Sequence, residues 1–335
     1  MSGRGIDTPG RIDAVDIARG LAILGMFAAH AMPRADESEL LVDGRSSILF
    51  ATLAGVSLGL LSGGSDPPAR GSRGRIVQVV LIRALFVFLL GLLLWTLGSE
   101  IAIILDYYAV MFLLVLPLLF ASRAVLAGVA VLVLFGAPVL ADAVDAGERA
   151  PASVPEVLRE YLLTGSYPAL VWMPLLLAGL IAARSGLNRR RTQIWLLAGG
   201  ATAAGAGYGG AALIIGVTAT AHSGSTAEIL GSGGLALALL GFLLLITSEG
   251  PFAGVVRTVL WPVGSAGALA LTVYTAQIVV LAMAAGARDS GGPGYPGWPL
   301  LIGLTVASLV GASVWRAVAG RGPLERVLAL AAGRR

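Results

Sequence analysis

The stretch Arg11-Ile12-Asp13-Ala14-Val15-Asp16-Ile17-Ala18-Arg19-Gly20, continued through Leu21-Ala22-Ile23-Leu24-Gly25-Met26-Phe27-Ala28-Ala29-His30, decides how this chain is read. From Ala14 onward it is apolar enough to cross a bilayer, yet Asp16, Arg19 and His30 are built into it. Ionisable groups are expensive in hydrocarbon, so they face a protein interior or cavity and mark function. Asp16 and Arg19 are three residues apart, share a helix face and form a structural charge pair. Between Arg19 and His30 the helix rises about 16 Å in almost three whole turns, so both side chains point the same way from opposite depths.

Composition agrees with a membrane setting. Of 335 residues, 57% are hydrophobic and only 13% charged, against about 25% in soluble domains; the mean hydropathy is +0.87. All 23 basic residues are arginine, and they are scattered over short connections rather than gathered into a polyanion groove. The net charge of +4 therefore reads as membrane topology, and no nucleic-acid partner is expected. Cysteine is absent, which excludes disulfides, thiol nucleophiles and thiolate metal sites. Only two histidines remain for metal, and no metal is expected. The first apolar run lacks a small-x-small cleavage site and reads as a span rather than a signal peptide.

Apolar stretches near 14–33, 46–63, 76–98, 101–120, 122–141, 167–184, 193–217, 229–248, 262–286 and 299–318 have the length that crosses a bilayer as helix. The expectation is an all-α integral membrane protein: one domain over residues 1–335, a polytopic bundle of about ten transmembrane helices. One alternate set of loops holds Arg4, Arg11, Arg70, Arg73, Arg75, Arg123, Arg184, Arg189, Arg190, Arg191, Arg257, Arg321, Arg326, Arg334 and Arg335. The other holds only Arg34, Arg45, Arg149, Arg159 and Arg288, so the positive-inside rule predicts both termini in the cytoplasm. In the longest outer loop, Val154 to Leu163 could be a short interfacial helix or an ordered loop. Glycines and small residues through 198–211 and 231–241 predict close helix packing.

His30 is the first candidate for chemistry, as a general base. Asp106, inside the fourth stretch, needs a partner, which could be His30, Arg83 or a tyrosine. A carboxylate on His30 would fix its tautomer and raise its basicity. Asp43 reads either as a cap of the second helix or, with Arg45, as a substrate-holding pair at the outer mouth; Tyr107 and His222 are further substrate-side candidates. His222 otherwise reads as a loop residue.

Arg11-Ile12 with Asp16-Ile17-Ala18-Arg19-Gly20-Leu21-Ala22-Ile23-Leu24-Gly25-Met26 resembles the opening signature of the YeiB-like bacterial membrane proteins with a DUF418 region. It is similar also to the related heparan-alpha-glucosaminide N-acetyltransferase catalytic family. Gly44-Arg45-Ser46-Ser47-Ile48-Leu49-Phe50-Ala51-Thr52-Leu53-Ala54-Gly55 looks like their second-helix motif. Gly267-Ala268-Leu269-Ala270-Leu271-Thr272-Val273-Tyr274-Thr275-Ala276-Gln277 and Gly322-Pro323-Leu324-Glu325-Arg326 resemble their C-terminal landmarks. Arg19 and His30 match the Arg, ten residues, His arrangement of the wider transmembrane acyltransferase superfamily.

The resemblance implies a transmembrane acyltransferase of the bacterial inner (plasma) membrane. It would move an acyl group from cytoplasmic acyl-CoA, foremost acetyl-CoA, to an extracytoplasmic small-molecule or glycan acceptor. His30 would be the base or a transient acyl carrier and Arg19 a donor-binding residue. The remaining donor phosphates would fall to Arg70, Arg73, Arg75 and Arg83. Membrane lipids are expected partners, and a homodimer is a further expectation. Two other readings stay open: a proton-coupled transporter for a small anion or lipid-linked solute through Asp16, Arg19, His30 and Asp106, and a structural protein whose charged first helix docks a partner.

Overall fold

A helix satisfies its own backbone in hydrocarbon, and the apolar stretches of this chain fold accordingly. The computed structural model describes residues 12–34, 39–145, 153–289 and 297–333, and its regular elements are all helical. Arg4, Arg11, Arg149, Arg334 and Arg335, which enter the orientation argument, lie outside the described residues. The helices are α1 (Asp13–Ala31), α2 (Arg45–Leu61), α3 (Arg73–Trp95), α4 (Leu105–Val115), α5 (Arg123–Asp145), α6 (Val154–Arg159) and α7 (Ala169–Arg184). They continue as α8 (Arg190–Leu213), α9 (Thr226–Ser248), α10 (Ala253–Val259), α11 (Trp261–Ala268), α12 (Ala270–Asp289), α13 (Trp298–Ala319) and α14 (Pro323–Ala331).

Among the described residues, six helical segments are long and apolar enough to cross a membrane: Asp13–Ala31, Arg70–Trp95, Arg123–Asp145, Thr226–Ser248, Ala270–Asp289 and Trp298–Ala319. A seventh arises if Val154–Thr164 and Ala169–Arg184, bent by 44° across residues 165–168, are one span. Each of the ten expected stretches contains helix, but not every one is a full span. The fourth gives only the 11-residue α4 and a 3-10 turn, α2 has 17 residues, and α8 is diluted by glycine and alanine. The 154–164 segment, expected as part of an outer loop, is helical, α6 running into a π turn at Glu160–Thr164.

Backbone closeness holds the centre together. A methyl on Gly20 would land on the Val263 carbonyl, and one on Gly267 on the Asp16 carbonyl, so α1 and α11 meet main chain to main chain. Gly200 and Gly207 of α8 lie the same way against Gly234 and Gly231 of α9, as the small-residue runs predicted. Outward faces carry large apolar side chains, with Leu85, Leu89 and Leu93 on α3 and Ile302, Val306, Val310, Val314 and Val318 on α13 exposed in rows. Rows of this kind suit lipid contact.

Two polar devices position the cavity at the centre of the bundle. Arg184, buried at the end of α7, donates to the carbonyls of Ser62 (3.1 Å), Gly64 (2.8 Å) and Leu119 (2.7 Å) and to the Ser62 hydroxyl (3.0 Å). It thereby ties together the ends of α2, α4 and α7, where helix dipoles favour a cation. The second device is a break. The expected ninth span is two helices, α11 and α12, parted at Leu269. Across that break Arg19 donates to the Gly267 carbonyl (3.3 Å), while the Glu325 carboxylate accepts from the amides of Leu271 (2.8 Å) and Thr272 (3.2 Å) and from the Thr272 hydroxyl (2.6 Å). A cation meets the C-terminal end of one half-helix and an anion the N-terminal end of the other.

Candidate functional site

Beside the break lies a cavity of about 210 Å³, walled by α1, α2, α3, α4, α11, α12 and α14. Arg19, Ser57, Arg83, Tyr108, Tyr274 and Glu325 are its polar lining. The Asp16–Arg19 pair predicted from spacing is formed at 2.8 Å, and Asp16 is buried. The other guanidinium nitrogen of Arg19 reaches the Ser57 hydroxyl at 3.5 Å. Of the five arginines expected to hold a phosphate-bearing donor, Arg19 and Arg83 line the cavity, whereas Arg70, Arg73 and Arg75 do not. Arg70 and Arg75 are exposed, and Arg73 is taken up by the Pro68 carbonyl (3.2 Å) and by the Phe120 ring, 4.9 Å from its guanidinium.

His30 stands outside this lining. Its Nδ1 lies 2.9 Å from the side-chain nitrogen Nε2 of Gln277 on α12, and Gln277 Oε1 has no hydrogen-bond partner among the described residues. Gln277 is buried, and it is three residues, about 4.5 Å of helix rise, beyond Tyr274, which walls the cavity. Tyr274 is itself held, accepting the Ile104 amide at 3.3 Å. Arg19 lines the cavity and His30 does not; the two are related through α12, whose Tyr274 walls the cavity and whose Gln277 meets His30. With the Gln277 carbonyl toward the ring, Nδ1 donates and Nε2 keeps its lone pair; with the amide nitrogen toward it, the roles reverse.

The His30–Asp106 pairing is not formed. Asp106 accepts the Tyr161 hydroxyl at 2.8 Å, because the bend between the π turn and α7 brings Tyr161 over the start of α4. Tyr107 lies in the same aromatic cluster, with ring centres 4.8 Å from Tyr161 and 5.8 Å from Tyr167. Asp43 does not cap α2 either. The N-cap position is Gly44, and the Asp43 carboxylate takes Arg34 (2.9 Å) and the Leu40 amide (2.8 Å). Arg45 is paired with Glu39 and donates to the Tyr208 hydroxyl at 3.3 Å, so it orients a carboxylate of the protein's own.

His222 is brought closer to the centre than a free loop residue. Its ring stacks on Trp172 (6.4 Å) and meets Tyr167 edge-on (5.5 Å). His30 feels the charges of His222, Asp43 and Arg34, so both histidines lie near the C-terminal end of α1 and the N-terminal end of α2. Packing against these rings removes water from the His222 imidazole and holds its pKa below the usual range. Its backbone is fixed by Glu228, buried at the start of α9, which accepts from the amides of His222 (2.7 Å) and Gly224 (2.8 Å) and from the Ser223 hydroxyl (3.2 Å). That carboxylate bridge is why His222 can sit at φ 60°. On the far side His222 lines a second cavity of about 460 Å³ together with Asp142, Ser166 and Thr226.

Sequence reasoning gave no place in the site to Gln277, Glu325, Tyr161 or Glu228, and read Arg184 only as a basic marker of membrane sidedness. A polar residue inside an apolar stretch was the available signal for Gln277, and the Ser-x-x-Glu spacing of Ser225 and Glu228 for the loop bridge. No group of three or more metal-ligating side chains occurs among the described residues. No protein-family model and no curated protein matches the chain, so the site is read from its own geometry.

Proposed function

We propose that this protein is an integral membrane acyltransferase of a bacterial plasma membrane, a bundle of about ten membrane helices with both termini cytoplasmic. The observation that carries the reading is the disposition of His30 and Arg19 about α12. An imidazole held by Gln277 stands just beyond the tyrosine wall of a cavity that presents two guanidinium groups. Arg19 and Arg83 would bind phosphate of an acyl-CoA donor, acetyl-CoA being the smallest acyl case. The acceptor hydroxyl or amine gives its proton to His30 Nε2 and attacks the thioester carbonyl. The C–S bond then breaks, and the thiolate leaves with the proton that His30 returns. This requires the Gln277 amide to turn over so that its carbonyl, rather than Nε2, faces Nδ1–H, and it requires Tyr274 to leave the Ile104 amide so that the thioester can pass.

The test is incubation of purified protein with radiolabelled acetyl-CoA and a cell-envelope extract. Labelling of an acceptor by the parent, lost in both His30→Ala and Arg19→Ala, is the expected result; labelling retained by His30→Ala removes the imidazole from the mechanism. One observation favours a second reading, transport of a small anion. Broken helices whose charged ends border a cavity are a way to build a solute site at membrane depth. Uptake of an anion into proteoliposomes without acyl-CoA, together with no acceptor labelling, would select it.

A further inference from the structure

The Glu325 carboxylate sits where a ligand anion would sit. The first amides of α12, at Leu271 and Thr272, converge with the Thr272 hydroxyl on one point, and Glu325 occupies it from α14. A helix N-terminus of this kind binds anions through its free N–H groups and its dipole. Three further observations place the feature in a ligand site. Arg19 and Arg83 line the same cavity, so without Glu325 its lining would present two guanidinium groups and a helix N-terminus. Tyr108, buried in that lining, has a hydroxyl with no hydrogen-bond partner among the described residues. Leu328, one turn after Glu325, is buried and lines the cavity too, so α14 closes it with both a charge and an apolar plug.

We infer that the α11–α12 break is an anion site in which the phosphate group of a ligand displaces Glu325 from the start of α12, and that this displacement lifts α14 off the cavity. The inference deepens the donor-binding role proposed for Arg19, but it requires only that the cavity take a phosphate, whether or not acyl transfer follows. It explains why the short C-terminal helix, besides donating its Leu324 amide to the Thr272 hydroxyl (3.2 Å), is held to the α12 amides by its one carboxylate: such a contact exchanges with an anion, whereas an apolar contact does not. A phosphate could belong to a soluble ligand or to a lipid headgroup, and the chemistry at Leu271, Thr272, Arg19 and Arg83 is the same for both.

The chain has no cysteine, so Leu328→Cys supplies a single reporter. Its maleimide labelling rate is measured on the full-length protein in neutral detergent. Inorganic pyrophosphate should speed labelling about tenfold or more over sodium chloride of equal ionic strength, the factor carried by a charge-assisted hydrogen bond. Glu325→Gln added to the reporter should give the same rise without pyrophosphate. Nanodiscs of phosphatidylglycerol against phosphatidylcholine separate the sources: speeding by phosphatidylglycerol alone assigns the anion to a headgroup, and speeding by pyrophosphate alone to a soluble ligand. Equal rates with pyrophosphate and chloride in detergent, together with equal rates in nanodiscs of the two lipids, overturn the inference. So does a Glu325→Gln rate equal to the parent's. Because reporter labelling needs no acyl-CoA, loss of the acyltransferase reading would leave this result standing, and the reverse.

Discussion

Replacing Arg184 with methionine removes a side chain that fastens three helix ends, at little cost in volume. Four bonds of 2.7 to 3.1 Å are lost. The residues carrying two of the orphaned carbonyls, Ser62 and Leu119, are fully buried, so water cannot replace the guanidinium there. An unsatisfied buried acceptor costs about 1–3 kcal/mol, which gives about 4 kcal/mol for the pair. Unfolding entropy of about 2.1 cal/mol/K per residue, taken over the length of this chain, converts that to a fall in Tm of about 6 °C. Arg184→Lys should fall between, because an ammonium group cannot span carbonyls of two helices as a planar fork does. The assay is thermal unfolding in one detergent at one protein concentration, with exposed Arg190→Met as the control. A loss below about 1 °C in Arg184→Met, or an equal loss in the control, would refute the assignment of these bonds as the source of stability.

Gln277→Leu should lower acyl transfer by about 10-fold to 100-fold, because the His30 tautomer is no longer fixed, while Gln277→Glu, an acceptor only, should keep activity and move its acid limb; the pH–rate profile of both variants checks this. Gly267→Ala drives a methyl onto the Asp16 carbonyl and should cost about 3 kcal/mol, against no measurable change for Gly311→Ala, where nothing lies within 4 Å of the added carbon; chemical denaturation of the two variants compares them. His222 has a lowered pKa in the fold, so from about pH 6.5 downward the unfolded chain binds the proton more readily, and stability falls as pH falls through that window. His222→Asn, which tolerates the same positive φ, should flatten the decline in Tm between about pH 7.5 and 5.5, and an unchanged slope would exclude His222 as its source. Glu228→Gln should loosen the 222–224 loop, seen as faster backbone amide exchange at His222 and Gly224 with the rate at α7 unchanged.

Hydropathy, period and charge carried the helical, membrane-embedded class, because burying an unpaired backbone in lipid leaves few alternatives to helix. Local pairing was legible in the same way: Asp16 and Arg19 lie one turn apart, and a three-residue spacing already puts them on one face. The small-residue runs of α8 and α9 likewise announced close packing, since only residues without bulk let two backbones approach.

What the linear chain did not contain was the partner of each isolated polar group. His30 met Gln277 rather than Asp106, and Asp106 met Tyr161, because which helices adjoin is decided by the fit of whole faces and not by depth along one span. The break at Leu269 was hidden inside an unbroken apolar run, since the groups that make it tolerable, Arg19 and Glu325, come from hundreds of residues before it and from dozens after. Arg184 had the same history: in sequence a basic marker at a span end, in the fold a clamp on the carbonyls of two other segments. Composition and periodicity settled that the chain forms apolar helices; the cavity, its charges and its closure by α14 exist only because distant segments were brought side by side.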